Sequence, residues 1–152
     1  MKAGSVLAGG IAIGLLAGAA SVVIPSAGSE PRAMMEPARN FTFCHTGGGT
    51  NCVVDGDTLW MDGVKIRISD IDAPETHTPK CPEEAKLGAQ ATQRMLALVN
   101  EGAFSVSMSG SRDEDRYGRK LHVLSRDGRS LGGILVSEGL ARQWTGSRQP
   151  WC

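Results

Sequence analysis

Four charged side chains in segment 55–75, DGDTLWMDGVKIRISDIDAPE, have types and spacing that could do chemistry together: Asp57, Arg67, Asp72 and Glu75. A strand, a hairpin and a second strand would bring them into one small acidic pocket with a single cationic wall. Such a pocket suits a hard metal ion and a phosphate. Two close carboxylates repel and raise a pKa unless a cation lies between them. Oxygen-only donors argue for Ca2+ or Mg2+ over Zn2+ or copper, and the backbone carbonyl of Ala73 would join Asp57 and Asp72 in the shell. A bound cation would polarise a phosphoryl oxygen. Glu75 would orient or deprotonate an attacking water, and Arg67 with Arg119 would clamp the phosphate and offset the charge that grows on it. Each signal also has a plain structural reading. DGD can be a turn, DAPE a strand ending at a proline, and Arg119 a surface cation. Neither DGDT nor DAPE matches an EF-hand loop.

The elements that must position these side chains follow from local pattern. Strands are expected at 51–55, 58–61 and 64–71, with Asp62-Gly63 forming a tight hairpin because both positions tolerate positive φ. In the third strand Val64, Ile66 and Ile68 face one way and Lys65, Arg67 and Ser69 the other, so Arg67 lies opposite the aliphatic row. A helix is expected from Pro82 to about residue 99, opened by proline and by Glu83 and Glu84. Leu87, Ala91, Met95 and Leu98 form its core stripe, and Asn100 or Gly102 closes it. A strand at 104–108, a charged loop at 110–118 able to reach over a ligand, and a strand at 120–126 closed by Asp127-Gly128 come next. Ser130 then caps a short helix that ends at Gly139 and turns Leu131, Ile134 and Leu135 inward. This order predicts an α+β, mainly β domain: a closed five-stranded OB-fold-like antiparallel barrel with two helices packed at its side.

The 152-residue chain has room for a leader and one domain of about 100 residues. Its net charge is zero, but the charges are sorted: nine acids face five bases over 41–111, and five acids face eight bases over 112–152. The first part could hold a cation and the second an anion. Neutral composition disfavours a pure polyanion binder, which needs a basic surface. Residues 6–24 form an uncharged run of small and aliphatic side chains, so 1–24 is read as an apolar helix serving as signal peptide or uncleaved membrane anchor. Residues 25–40, rich in Pro and Ser, read as a linker, and 41–152 as the folded domain, a monomer with no implied protein partner. Export places Cys44, Cys52, Cys81 and Cys152 in an oxidising compartment. The favoured pairing is Cys44 to Cys52 and Cys81 to Cys152. A zinc site from Cys44, His45, Cys52, His77 and Cys81 competes with it, although C-x7-C is not the usual knuckle spacing.

The motifs VVDGDTL, IRISDIDAPET and DRYGRKL, in that order with a helix between the last two, resemble the staphylococcal nuclease (thermonuclease) family over residues 51–141. The resemblance implies an OB barrel with helices and calcium-dependent cleavage of DNA and RNA phosphodiesters that leaves 3′-phosphates. By motif position Asp57 and Asp72 are similar to the calcium carboxylates, and Ala73 stands where a Thr supplies a carbonyl. Glu75 resembles the proposed general base, and Arg67 and Arg119 the two phosphate arginines. Arg116-Tyr117 stands where a Lys-Tyr pair contacts a terminal phosphate. After Gly139-Leu140-Ala141 the family pattern of nucleotide-contacting tyrosines gives way to Arg142-Gln143-Trp144, so Trp144 or Trp151 would stack on a base or belong to the core. The chain also lacks the family's final helix, and a Cys81 to Cys152 bond would pin the short tail instead. The expectation is therefore an extracytoplasmic nuclease, secreted, periplasmic or anchored. Two readings of other kinds stand beside it: a catalytically silent nucleic-acid or polyanion binding module of the envelope, and a structural envelope domain.

Overall fold

Two Asp-Gly pairs set the tight turns. Asp62 and Gly63 have φ of 49° and 78°, and Asp127 and Gly128 have 50° and 73°. These are the left-handed values that a two-residue hairpin matched to strand twist requires. The computed structural model describes residues 35–45 and 49–152. The expected leader and residues 25–34 of the expected linker lie outside the described residues. No described helix is long and apolar enough to cross a membrane.

In chain order the elements are β1 (Met35–Glu36), β2 (Thr42–Phe43), β3 (Cys52–Asp55), β4 (Thr58–Met61), β5 (Val64–Ile68), β6 (Ile71–Asp72), α1 (Pro82–Asn100), β7 (Phe104–Met108), β8 (Lys120–Arg126), β9 (Arg129–Ser130), α2 (Leu131–Ser137) and β10 (Arg142–Gln143). The five longer strands are those expected from the sequence, and they form a mainly β domain with two helices. The barrel, however, is not closed. The ladder runs β1-β7-β8-β5-β4-β3-β2, with β9 beside β8. Closure would need β3 to meet β7. Instead the free edge of β3 takes β2 in parallel, and the free edge of β7 takes β1. A strand has two edges, so strands from the N-terminal segment occupy the hydrogen-bonding groups that closure would use. Met35–Glu36 thus pairs with β7 within the stretch expected to be a tether. Nor is the sheet antiparallel throughout, since β5 and β8 pair in parallel.

The strand expected at 64–71 is two strands. β5 stops at Ile68, and after the Ser69-Asp70 turn β6 pairs antiparallel with β10, Asp72 opposite Arg142. Three bonds divert it: Ser130 Oγ donates to Asp70 Oδ2 at 2.5 Å, Trp144 N–H to the Asp70 carbonyl at 2.9 Å, and the Gln143 amide to the same carbonyl at 2.8 Å.

The core lies between this sheet and α1. Leu59, Ile66, Ile68, Met95, Leu98, Phe104, Leu124, Leu131 and Leu135 are almost fully buried, each contributing about 1.5–3 kcal/mol of transfer free energy. The inward face of α1 is Gly88, Ala91, Thr92, Met95, Leu98 and Val99, and Leu87 of the expected stripe lies half-buried at its edge. The shift has a steric cause, because a Cβ at Gly88 would lie 2.8 Å from the Glu75 carbonyl oxygen and 2.9 Å from that of Pro74. The C-terminus of α1 has no basic residue in its last turn. Arg126 of β8 supplies the cation, donating to the carbonyls of Leu98, Gly102 and Ala103 at 2.7–3.1 Å.

Candidate active site

Sheet register brings the site together. Thr58 stands opposite Arg67 across the β4–β5 pair, and Ile68 N–H donates to the Asp57 carbonyl at 2.7 Å. The buried Arg67 guanidinium therefore reaches back to Asp57, with Nη1 3.1 Å from Oδ2. Its Nη2 lies 3.7 Å from Asp72 Oδ1, and Nη1 also donates to the Ile68 carbonyl. Asp57 is further fixed by Thr58 Oγ at 2.9 Å and by the Ala73 N–H at 2.9 Å. Asp57, Arg67 and Asp72 are 2%, 7% and 3% exposed. A guanidinium between two carboxylates that deep in the protein is held by fit and hydrogen bonding.

Arg119 joins through Thr58, its Nη1 lying 3.5 Å from Thr58 Oγ. Asp115 aims it, accepting from the Arg119 backbone N–H at 3.0 Å and from Nε at 2.8 Å. Arg119 and Arg116 both lie against the Tyr117 ring, at 5.5 and 4.8 Å, and Arg116 Nη2 donates to the Tyr117 hydroxyl. Trp144 stands beside Arg67, 5.8 Å from ring centroid to guanidinium, and lines both clefts that open here. One cleft is walled by the expected charged loop at 110–112 with Asp115, Arg119 and Leu121, the other by Lys65, Glu75, Arg116, Tyr117, Arg119 and Arg148. Trp151 is elsewhere, stacked on Arg142 at 3.8 Å.

Two disulfides occur, Cys44–Cys52 and Cys81–Cys152. With all four thiols bonded, the alternative of a zinc site is corrected: a disulfide sulfur is not the thiolate that zinc binds.

Four contributors escaped the sequence reading. Asp55 accepts from the Asp57 N–H at 3.1 Å; burial, reinforced by the Asp57 charge, pushes its carboxyl up to about 8. Its signal was the first acid of DGDT. Glu84, buried at the start of α1, accepts from Lys80 N–H at 2.7 Å and Glu75 N–H at 3.3 Å, and so ties the Glu75 loop to the helix. These bonds, that of Lys80 first, lower its carboxyl pKa. Asp115 had a spacing signal, four residues before Arg119. The fourth, Arg148, had none. It pairs with Glu75, lies 3.0 Å from Asp72 Oδ1 through Nε, and lies 4.0 Å from Asp57 Oδ2 through Nη2.

Two observations fit a hard divalent ion here. Asp72 Oδ2 is buried without a hydrogen bond, and desolvation by burial raises the Asp72 pKa, opposed by Arg148. A carboxylate oxygen left unsatisfied beside Asp57, with oxygen donors only, suits Ca2+ or Mg2+ held by Asp57, Asp72 and the Ala73 carbonyl. No cluster of three or more His, Cys, Asp or Glu able to hold a metal occurs among the described residues, so backbone and water oxygens would complete the shell.

The chain matches the family model described as Staphylococcal nuclease homologue over residues 65–150. It is 36% identical over 93 residues to "Endonuclease YncB" of Bacillus subtilis (strain 168), covering 59% of this chain and 44% of that protein. Identity to "SPbeta prophage-derived endonuclease YokF" of the same organism is 36% over 95 residues, covering 59% and 31%. To "Micrococcal nuclease" of Shigella flexneri it is 30% over 102 residues, covering 59% and 53%. The aligned part thus spans about half or less of each of these relatives. Since the matched model covers more than half of the chain, and within it Arg67, Asp72, Glu75 and Arg119, the chain belongs to the staphylococcal nuclease homologue family.

Proposed function

We propose that this protein is a calcium-dependent nuclease that hydrolyses phosphodiester bonds of DNA or RNA outside the cytoplasm. One observation carries the reading: the buried Asp57–Arg67–Asp72 group, with Glu75 and Arg119 beside it, opens onto a cleft whose walls are rich in cations. Asp57, Asp72 and the Ala73 carbonyl would hold Ca2+, which when bound supplies Lewis-acid polarisation of the phosphate, with Mg2+ as the weaker fit. Glu75 takes the proton of the attacking water. Arg67 and Arg119 donate to the phosphate oxygens and offset the negative charge developing at phosphorus. Asp115 holds Arg119 in the orientation this needs. Arg116 and Tyr117 receive the neighbouring phosphate, and Trp144 offers a face on which a base stacks, a contact worth about 1–3 kcal/mol. Phosphate and stacking contacts carry little base information, so cleavage is expected to be broad in sequence. Names of the relatives support nuclease activity and a nucleic-acid substrate. Location rests on the apolar run at 6–24 and on two disulfides, which persist in oxidising compartments.

The test is cleavage of single-stranded DNA and of RNA by the oxidised full-length chain in Ca2+, Mg2+ or EDTA. Glu75→Gln and Arg119→Ala serve as controls. Calcium-dependent cleavage that drops by about 10²-fold or more in both variants is expected. Folded wild-type protein that binds single-stranded DNA but never cleaves it would replace this reading with the binding module.

A further inference from the structure

The Arg148 guanidinium is seated among the acids that the nuclease reading assigns to a metal ion and a general base. The segment that carries it is closed on itself. Arg142 donates to the Pro150 carbonyl at 2.9 Å and stacks on Trp151 at 3.8 Å, while Cys152 is bonded to Cys81 at the start of α1. Residues 144–152 form neither helix nor strand, so these links fix where Arg148 stands. Its side chain is still 47% exposed, and a half-exposed ion pair adds little to fold stability. The site, by contrast, has a clear need for it. Asp57, Asp72 and Glu75 all lie against Arg148, the buried Arg67 pairs only with the first two of them among the described contacts, and close like charges are costly unless compensated.

We propose that Arg148 is a tethered internal cation that competes with the divalent ion for Asp57, Asp72 and Glu75, and that the Cys81–Cys152 bond keeps it within reach. The proposal rests on the nuclease reading only for the presence of the ion. With a divalent ion held by Asp57, Asp72 and the Ala73 carbonyl, the Arg148 guanidinium would be repelled and would leave Asp72 and Glu75 together. Its departure frees the Glu75 carboxylate to accept a proton. Metal loading and release of the base therefore become one event. Arg148 already lines the same cleft as Lys65, Arg116, Tyr117 and Arg119, so an incoming phosphate there would be a partner for the freed guanidinium. The tether matters because a linked ligand acts at a high effective concentration. If Arg148 is seated in nine of ten metal-free molecules, the apparent affinity for the ion is reduced about tenfold.

Calorimetric titration of the oxidised full-length chain with Ca2+ tests this without any turnover. Arg148→Gln should tighten Ca2+ binding about tenfold. Arg148→Lys should stay nearer wild type, and Asp72→Asn should lose binding. A Cys81→Ser/Cys152→Ser pair should tighten binding in the same direction; unchanged affinity there, beside a tighter Arg148→Gln, would overturn the tether. If the cysteine pair fails to fold by circular dichroism, wild-type protein whose disulfides are reduced after folding takes its place, and unchanged Ca2+ affinity there overturns the tether. Wild-type or weaker affinity in Arg148→Gln, with binding lost in Asp72→Asn, overturns the competition and leaves the nuclease reading standing. No Ca2+ binding by any protein overturns both.

Discussion

Gly88→Ala sets two opposing effects against each other. Position 88 is inside the nineteen-residue helix α1, where alanine is favoured over glycine by about 1 kcal/mol. The added methyl, however, would meet the Glu75 carbonyl oxygen at 2.8 Å, that of Pro74 at 2.9 Å and the Glu75 carbonyl carbon at 3.2 Å. Carbon–oxygen contacts normally settle at about 3.3 Å or more, so two oxygens are overlapped by roughly half an ångström each. Both belong to backbone, which cannot swing aside as a side-chain tip can. Overpacking of this kind costs about 1–3 kcal/mol, leaving a net destabilisation of about 1 kcal/mol after the helix gain. Relief is easiest if segment 74–75 moves outward, carrying Glu75 away from the position that its proposed role as general base requires. A fraction of an ångström there should lower turnover about tenfold, since a 1 Å displacement can cost about 10²-fold. The assay pairs urea unfolding, followed by circular dichroism, with turnover on single-stranded DNA. Ala89→Gly, at an exposed position next door, is the control: it should cost about 1 kcal/mol with turnover unchanged. A Gly88→Ala protein more stable than wild type by about 1 kcal/mol and fully active would refute the packing argument.

Two further outcomes concern the acids. Glu84→Gln removes one of two backbone acceptors at the Glu75 loop, and should cost about 1–2 kcal/mol in urea unfolding at pH 7. Because the native pKa of Glu84 lies below the ordinary 4.5, the wild-type advantage holds above that value and fades as pH falls through the native one; an equal deficit at acid pH would argue against it. For Asp55 the sign is opposite. With its pKa raised from 3.8 to about 8, the native state keeps a proton that the unfolded chain releases, so metal-free stability falls as pH rises across that window. Thermal melts in EDTA at pH 5, 6, 7 and 8 should show the decline, and Asp55→Asn should flatten it; the same decline in the variant would assign it to other groups.

Legibility followed the range of the interactions. Asp62-Gly63 and Asp127-Gly128 form their turns because the backbone requirement is met within two residues. Pro82 and the acids after it start α1 for an equally local reason. Asp57, in the turn that opens β4, and Arg67 on β5 lie ten residues apart across one hairpin, so their meeting could be read from alternation and register. Barrel closure could not, since it depended on whether residues 35–36 and 42–43 would take the edges of β7 and β3. The stripe of α1 was displaced for a similar reason, because small size at Gly88 matters only once the Glu75 loop lies against it.

What the sequence by itself determined is the five longer strands and the two helices, the family to which the chain belongs, and the residue types at Asp57, Arg67, Asp72, Glu75 and Arg119. Tertiary structure alone decided the open ladder, the pairing of β6 with β10 that sets Asp72, the Glu84 anchor of the Glu75 loop, and the seating of Arg148. Arg148 is separated from Glu75 by 73 residues, and no periodicity reaches that far. Propensity and alternation act over a few neighbours, whereas ion pairs, disulfides and edge pairing join whatever the completed fold brings together.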